Sequence, residues 1–164
     1  MLQALSNWLA ATSASTWIGD NQWVTPLVQS IHILAIALVA GSSLMLDLRV
    51  LGLAATGQPL EAVHRRFAPW LWSAVAILAA SGAVLILGEP GRELLNPVFR
   101  AKMVMVSVAV AFTGVIDAGL SRRPPFWTAK AERAPAPRLL AAASLALWLA
   151  IIVAGRWIAY TQPS

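Results

Sequence analysis

Two ionisable residues, His32 and Asp47, lie inside one long apolar run of the sequence, SIHILAIALVAGSSLMLD. An imidazole can ligate a metal or haem iron and can carry a proton, and a carboxylate can hold a cation. At 100° per residue of helix, Thr25, Gln29 and Ser43 share with them a stripe about 60° wide. A single polar stripe can face the interior of a helix bundle, so we expect both ionisable groups to point inward rather than into lipid.

A second apolar run repeats this arrangement. Three of its polar residues follow three of the first run by 70 positions (102−32, 113−43 and 117−47), and they are Lys102, Thr113 and Asp117. If both runs are helices with the same direction, two helical hairpins are related by an axis along the membrane normal. Both polar stripes are then expected to face the interior.

The stripes predict two polar layers at different depths in a membrane. The outer layer is a candidate cofactor site, built from His32, Lys102, Arg156, Ser81 and Gly82. His32 and Met103 are candidate ligands for a metal ion there. Glu89 or Glu93 can neutralise Lys102. Alternatively, Lys102 extends to the membrane surface and His32 is a hydrogen-bonded structural residue.

The inner layer contains two carboxylates near several arginines. We expect Asp47, Arg49 and Asp117 to form structural ion pairs that hold the helices in register. The residues between the two layers are apolar, which argues against a continuous proton path; they include Ile36, Val39, Val106 and Ala109.

The elements that position these residues follow from composition. Of 164 residues, 59% are hydrophobic and 12% are charged, against about 25% charged in a soluble domain. Four runs are long enough to cross a bilayer as helices, at about 26–49, 67–88, 97–120 and 139–160. The predicted fold is all-α: a polytopic membrane protein forming an antiparallel four-helix transmembrane bundle, with residues 1–164 as one transmembrane domain.

Shorter segments complete this prediction. Residues 2–11 are expected to form a helix lying in the outer membrane interface, with Trp8, Trp17 and Trp23 at headgroup depth. Residues 60–66 are expected to form a cytoplasmic turn of helix that leads to Pro69 and the second span. Small residues every three or four positions predict helix-packing surfaces on two spans: Ser73, Ala76, Ala80 and Ala83 on the second, and Ala146, Ala150 and Ala154 on the fourth.

The distribution of basic residues predicts orientation. The connections after the first and third spans carry most of them, so the positive-inside rule places these connections in the cytoplasm and both termini outside. We expect a multi-pass protein of the bacterial inner membrane, with the lipid bilayer as its surroundings and a homodimer or larger membrane complex as its possible assembly. The net charge of +5 therefore reports topology and not nucleic-acid binding.

The first span also carries a family resemblance. His32, Gly41, the Asp47-Leu48-Arg49 triplet and Gly52 within HILAIALVAGSSLMLDLRVLG, followed by Phe99-x-x-Lys102, resemble a family of small bacterial four-helix membrane proteins without an established activity. A looser likeness, in helix size and histidine placement, is to the copper-resistance D proteins and the four-helix b-type cytochromes. This likeness implies handling of haem b or copper on the outer side.

One departure from the cytochrome pattern concerns the second axial ligand. The two histidines, His32 and His64, belong to opposite membrane sides in the predicted topology, so one haem cannot bind both. A haem would take His32 with Lys102, with a methionine, with the His32 of a second copy, or with an open position.

Three functions remain open from sequence. The first is an outer-layer haem or metal site that serves electron transfer or metal handling. The second is a non-catalytic accessory subunit of a larger membrane complex, and the third is ion or proton translocation. Cysteine is absent, and no nucleophile motif, phosphate loop or paired catalytic carboxylate is present. The sequence therefore does not indicate a stand-alone enzyme.

Overall fold

The computed structural model describes residues 1–122 and 135–157, which form only α-helices. These are α1 (Leu2–Ala10), α2 (Ser13–Asp20), α3 (Val24–Leu51), α4 (Leu60–Gly88), α5 (Pro90–Leu94), α6 (Pro97–Arg122) and α7 (Pro135–Trp157). The prediction of an all-α bundle with four long helices is confirmed. The predicted end of the last span, residues 158–160, and most of the long basic connection lie outside the described residues.

Four of these helices are long and apolar enough to cross a membrane: α3, α4, α6 and α7. Each has at least 23 residues, whereas about 20 residues of helix span the hydrocarbon core. The protein is therefore a multi-pass membrane protein.

The four long helices alternate in direction along the chain. Helix α3 packs against α4 and α7, α6 packs against α7, and α4 and α6 touch over a smaller area. One end of the bundle carries His32, Ser81 and Lys102, and we call it the His32 end. The opposite end carries Asp47 and Asp117, and we call it the Asp47 end.

An apolar cluster separates the two ends. It consists of side chains from all four long helices, namely Val39, Ala74, Ala109, Trp148 and Ile151. On α7 the buried positions recur every three or four residues, at Ala141, Ser144, Trp148 and Ile151. This spacing turns one stripe of the helix toward its neighbours. The cluster confirms that Val39 and Ala109 lie in an apolar band between the polar layers.

The predicted small-residue packing surfaces are wrong. On α4, Ser73, Ala76, Ala80 and Ala83 are exposed, and on α7 Ala146 and Ala150 are exposed. The small residues that do pack in the core are others, such as Ala74 and Ala141. Alanine is common on all faces of these helices, so its spacing alone does not identify the packed face.

The turn of helix predicted for residues 60–66 is confirmed. It continues directly into the second span as one helix, Leu60–Gly88, with Pro69 inside it. Val63 is 2% exposed and packs with Leu46 and Leu71, so the first turns of α4 are held by the bundle. Such packing can offset the hydrogen bond that a proline removes from a helix interior.

Three short helices cover the His32 end. Helix α1 packs against α5, and α2 packs against α4. The buried residue of α1 is Ser6. Its hydroxyl oxygen lies 3.7 Å from the position that a Cβ would occupy at Gly91. Leu2, Leu5 and Trp8 are exposed. The predicted N-terminal helix is confirmed, and its place in the membrane interface stays a prediction that this apolar outer side supports.

Helix α3 ends at a glycine in the left-handed conformation. Gly52 has φ +75°, and the amide of Leu53 donates to the carbonyl of Leu48 at 2.9 Å. This pattern closes a helix and favours glycine because a Cβ is strained at positive φ.

We expect Gly52→Ala to lower the free energy of unfolding by about 1 kcal/mol because alanine is strained at this φ. Gly41→Ala is the matched control, since a Cβ at Gly41 meets no atom within 4 Å and the site is inside a helix. That change should raise stability by about 0.5–1 kcal/mol. Thermal unfolding in detergent measures both. Equal effects of the two changes would contradict this account of the turn.

Candidate functional site

His32 is held by a short chain of hydrogen bonds between α3 and α4. Its Nδ1 lies 2.8 Å from the hydroxyl oxygen of Ser81, and that hydroxyl lies 2.6 Å from the carbonyl oxygen of Ile77. Ser81 is buried and His32 is half-buried. The imidazole therefore lies between two helices, with its orientation fixed by a partner on the second one.

These contacts favour one tautomer of His32. A carbonyl oxygen only accepts, and the hydroxyl of Ser81 has two within reach, those of Ile77 at 2.6 Å and Leu78 at 3.3 Å. With its proton directed to a carbonyl, the Ser81 hydroxyl accepts a hydrogen bond from a proton on Nδ1 of His32. In the neutral imidazole, Nε2 keeps an unprotonated lone pair. A histidine that donates from one ring nitrogen and keeps the other free has the arrangement found in metal-ligating histidines.

Two glycines let neighbouring helices lie close to the side chains of His32 and Lys102. A Cβ at Gly82 would lie 3.4 Å from Cε1 of His32, and a Cβ at Gly155 would lie 3.8 Å from Nζ of Lys102. His32 and Lys102 are within electrostatic range of each other. The structure thus brings His32, Ser81, Gly82 and Lys102 together at one end of the bundle.

An acidic residue adjoins Lys102. Glu93, on α5, lies within electrostatic range of it, whereas Glu89 pairs with Arg92 at 2.6 Å. Burial raises the pKa of Glu93, and the positive charges of Lys102 and Arg92 only partly oppose this effect. Of the two acidic residues considered from sequence, Glu93 is therefore the neighbour of Lys102.

One residue that sequence reasoning missed fixes the start of α6. The side-chain oxygen of buried Asn96 accepts hydrogen bonds from the amides of Val98 and Phe99, at 2.8 and 3.4 Å. This is an N-cap, and it determines where Lys102 falls on the helix. The Asn96-Pro97 pair was an available signal, because proline is favoured directly after an N-cap.

Two other predicted site residues lie elsewhere. Met103 is 42% exposed, so its thioether is on the outer side of α6. Arg156 is exposed and lines a shallow surface depression with Ile152, Val153 and Trp157. Neither side chain has the buried position that Ser81 has beside the imidazole of His32.

At the Asp47 end, the expected pairing of carboxylates with arginines is wrong for the described residues. Asp47 is 1% exposed and accepts a hydrogen bond from Ser43 at 3.0 Å. Arg49 instead donates to the backbone carbonyl of Gln58 through Nε and Nη2, at 3.1 and 2.9 Å. Gln58 lies in the loop between α3 and α4, where a backbone carbonyl needs a hydrogen-bond partner from outside regular secondary structure, and the guanidinium of Arg49 supplies it.

The second carboxylate pairs with a histidine. Oδ1 of Asp117 lies 2.6 Å from Nε2 of His64, which joins α6 to α4 where these helices otherwise touch little. His64 is therefore engaged by protein at the nitrogen that is free in His32. The two histidines lie at opposite ends of the bundle, as the sequence predicted.

Comparisons with known proteins identify a family only. The profile of a family of unknown function (DUF6644) matches residues 5–161. No curated protein and no solved structure matches the chain.

The burial of Glu93 predicts a pH dependence of stability. Its ordinary pKa is 4.5, and the folded value is higher, so ionisation costs folding free energy. This free-energy cost is absent at pH values below the pKa of Glu93 in the unfolded protein. It is complete at pH values above the pKa of Glu93 in the folded protein. As pH rises from about 4.5, the wild-type protein should therefore lose stability relative to Glu93→Gln in thermal unfolding.

Glu89→Gln is the control for this measurement, because Glu89 is exposed and paired with Arg92. Because the charge of Glu89 contributes less than burial to the raised pKa of Glu93, the pH profile of Glu89→Gln should lie between those of the wild type and Glu93→Gln. A Glu93→Gln profile that also runs parallel to the wild type would show that Glu93 is not buried on folding.

Proposed function

We propose that this chain, which belongs to the family of unknown function DUF6644, binds a haem at the His32 end of its bundle and serves electron transfer in the membrane. In this proposal, Nε2 of His32 would hold the haem iron. The observation that carries the proposal is the hydrogen-bond chain from Nδ1 of His32 through Ser81 to Ile77, because it leaves Nε2 as the free base.

The donor set favours haem over a bare metal ion. Among residues 1–122 and 135–157, no three His, Cys, Asp or Glu side chains are grouped closely enough to hold a metal ion. The candidate ligand Met103 is on the outer side of α6. A haem brings four nitrogen ligands of its own and needs only one or two axial ligands from protein. A single well-oriented imidazole therefore fits haem better than copper.

Lys102 supports the same proposal through charge. Haem propionates are anionic, and an ammonium group within electrostatic range of His32 can bind a carboxylate. Glu93 lies beside Lys102 in the absence of such an anion, so the charge of the lysine is balanced locally. A bound haem supplies reversible one-electron chemistry, while the protein fixes the axial ligand and limits contact with water.

The proposed orientation places the His32 end on the outer side of a bacterial inner membrane. Of the 12 basic residues, eight belong to the Asp47 end or its connections, namely Arg49, Arg65, Arg66, Arg122, Arg123, Lys130, Arg133 and Arg138, and four to the other end. This asymmetry supports a cytoplasmic Asp47 end by the positive-inside rule. Cysteine-accessibility mapping from either side of the membrane tests it.

The test is an absorption spectrum of the full-length protein purified in detergent and titrated with haem. We expect a Soret band that shifts on reduction. His32→Ala should abolish it, because the axial ligand is lost. Ser81→Ala should weaken haem binding about 10- to 100-fold, because the partner that orients the imidazole is lost.

His64→Gln is the matched control, since it removes the other histidine while His32 stays in place. It should leave the Soret band and the haem affinity unchanged. A protein that binds no haem, or that binds it equally well after His32→Ala, would contradict the proposal. The remaining hypotheses would then be an accessory subunit whose polar groups hold its helices in register, and ion or proton translocation.

A further inference from the structure

The Asp47 end contains a buried carboxylate that the proposed haem site does not use. Asp47 is 1% exposed, and Ser43, one helical turn away and 2% exposed, donates to it. No ion pair joins Asp47 to a basic side chain within the described residues. A carboxylate removed from water without a counter-charge is costly, so it must bind a proton or a cation.

The charged groups around Asp47 are occupied elsewhere. Arg49 donates to the carbonyl of Gln58, and Arg138, on α7, donates to the carbonyl of Leu51. On the remaining packed helices, His64 of α4 and Asp117 of α6 bind each other. Arg65 and Arg66 of α4 are exposed.

An unpaired hydroxyl group lies next to the carboxylate. Ser144, on α7, is 0% exposed and its hydroxyl approaches Asp47, but it makes no hydrogen bond of standard geometry with any described residue. Buried hydroxyls are normally hydrogen bonded or bound to water or an ion, so such a hydroxyl beside a buried carboxylate without a counter-charge indicates a ligand.

We propose that the Asp47 end holds a monovalent cation site, in which the Asp47 carboxylate and the hydroxyls of Ser43 and Ser144 bind sodium in exchange for a proton. The charge balances: protonated Asp47 releases H⁺, and the carboxylate then holds Na⁺. All the donors are oxygen atoms, which suit hard cations, and one carboxylate supplies a single negative charge. A divalent ion would leave excess positive charge in a buried site.

This site is independent of the proposed haem. Thr113 occupies the position in α6 that Ser43 occupies in α3, four residues before an aspartate. In α6, however, the aspartate is bound by His64. Only Asp47 therefore combines a buried carboxylate with an unpaired hydroxyl, within the part of the chain that the structure describes. The apolar cluster around Val39 separates it from the His32 end.

Carbodiimide labelling tests the proposal on the full-length protein in detergent. Dicyclohexylcarbodiimide modifies protonated carboxyl groups in apolar surroundings, and peptide mass spectrometry locates the label. We expect label on Asp47 in choline chloride. Sodium chloride of equal ionic strength should slow it about tenfold at a concentration about ten times the dissociation constant. Label on Glu93, whose pKa is raised by burial at the His32 end, is the internal control and should not depend on sodium.

Ser144→Ala sharpens the test because it removes one proposed sodium ligand and keeps the Cβ of a fully buried residue, so the variant should fold. Its Asp47 should still be labelled, but protection should need a higher sodium concentration. In thermal unfolding, sodium should raise the midpoint of the wild type and not that of Asp47→Asn. Equal labelling in sodium and choline, or no label on Asp47 in either salt, would overturn the proposal. Unchanged protection in Ser144→Ala would also overturn the assigned ligand set.

Discussion

Helices that cross an apolar medium can keep polar side chains only where the protein itself supplies a partner, from the same helix or from another one. This constraint governs both ends of the bundle. At the His32 end, Ser81 of α4 supplies the partner, and at the Asp47 end Ser43 supplies one from within α3. Between them the apolar cluster around Val39 is closed to polar groups. The molecule therefore has two separate polar regions rather than one continuous path.

The two histidines show how one residue type can have two different roles. His64 binds Asp117 through Nε2 and joins the two helices that touch least. His32 uses Nδ1 for its protein contact and leaves Nε2 available. A structural histidine and a candidate ligand therefore differ here in which ring nitrogen the protein engages, and each histidine is the control for the other.

The inward orientation of the polar stripe could be predicted from sequence. The apolar helix faces that pack in the core could not. A stripe containing His32, Ser43 and Asp47 must face inward because lipid cannot solvate it, and the burial of Asp47 agrees with this expectation. In contrast, lipid and the bundle core are similarly apolar, so hydropathy does not distinguish them. For this reason the small residues of the fourth span predict a packed face, whereas Ala146 and Ala150 are exposed in the structure. The partners of Arg49 depend on backbone carbonyls that sequence does not locate.

The protonation state of the His32 ring tests the central claim most directly. The full-length protein labelled with nitrogen-15 at its two histidines gives side-chain signals that His64→Gln assigns by removing one set. We predict that neutral His32 carries its proton on Nδ1 and that Nε2 has the chemical shift of an unprotonated nitrogen. A proton on Nε2 with a bare Nδ1 would contradict the assigned hydrogen bond to Ser81, and with it the axial ligand on which the proposed function rests.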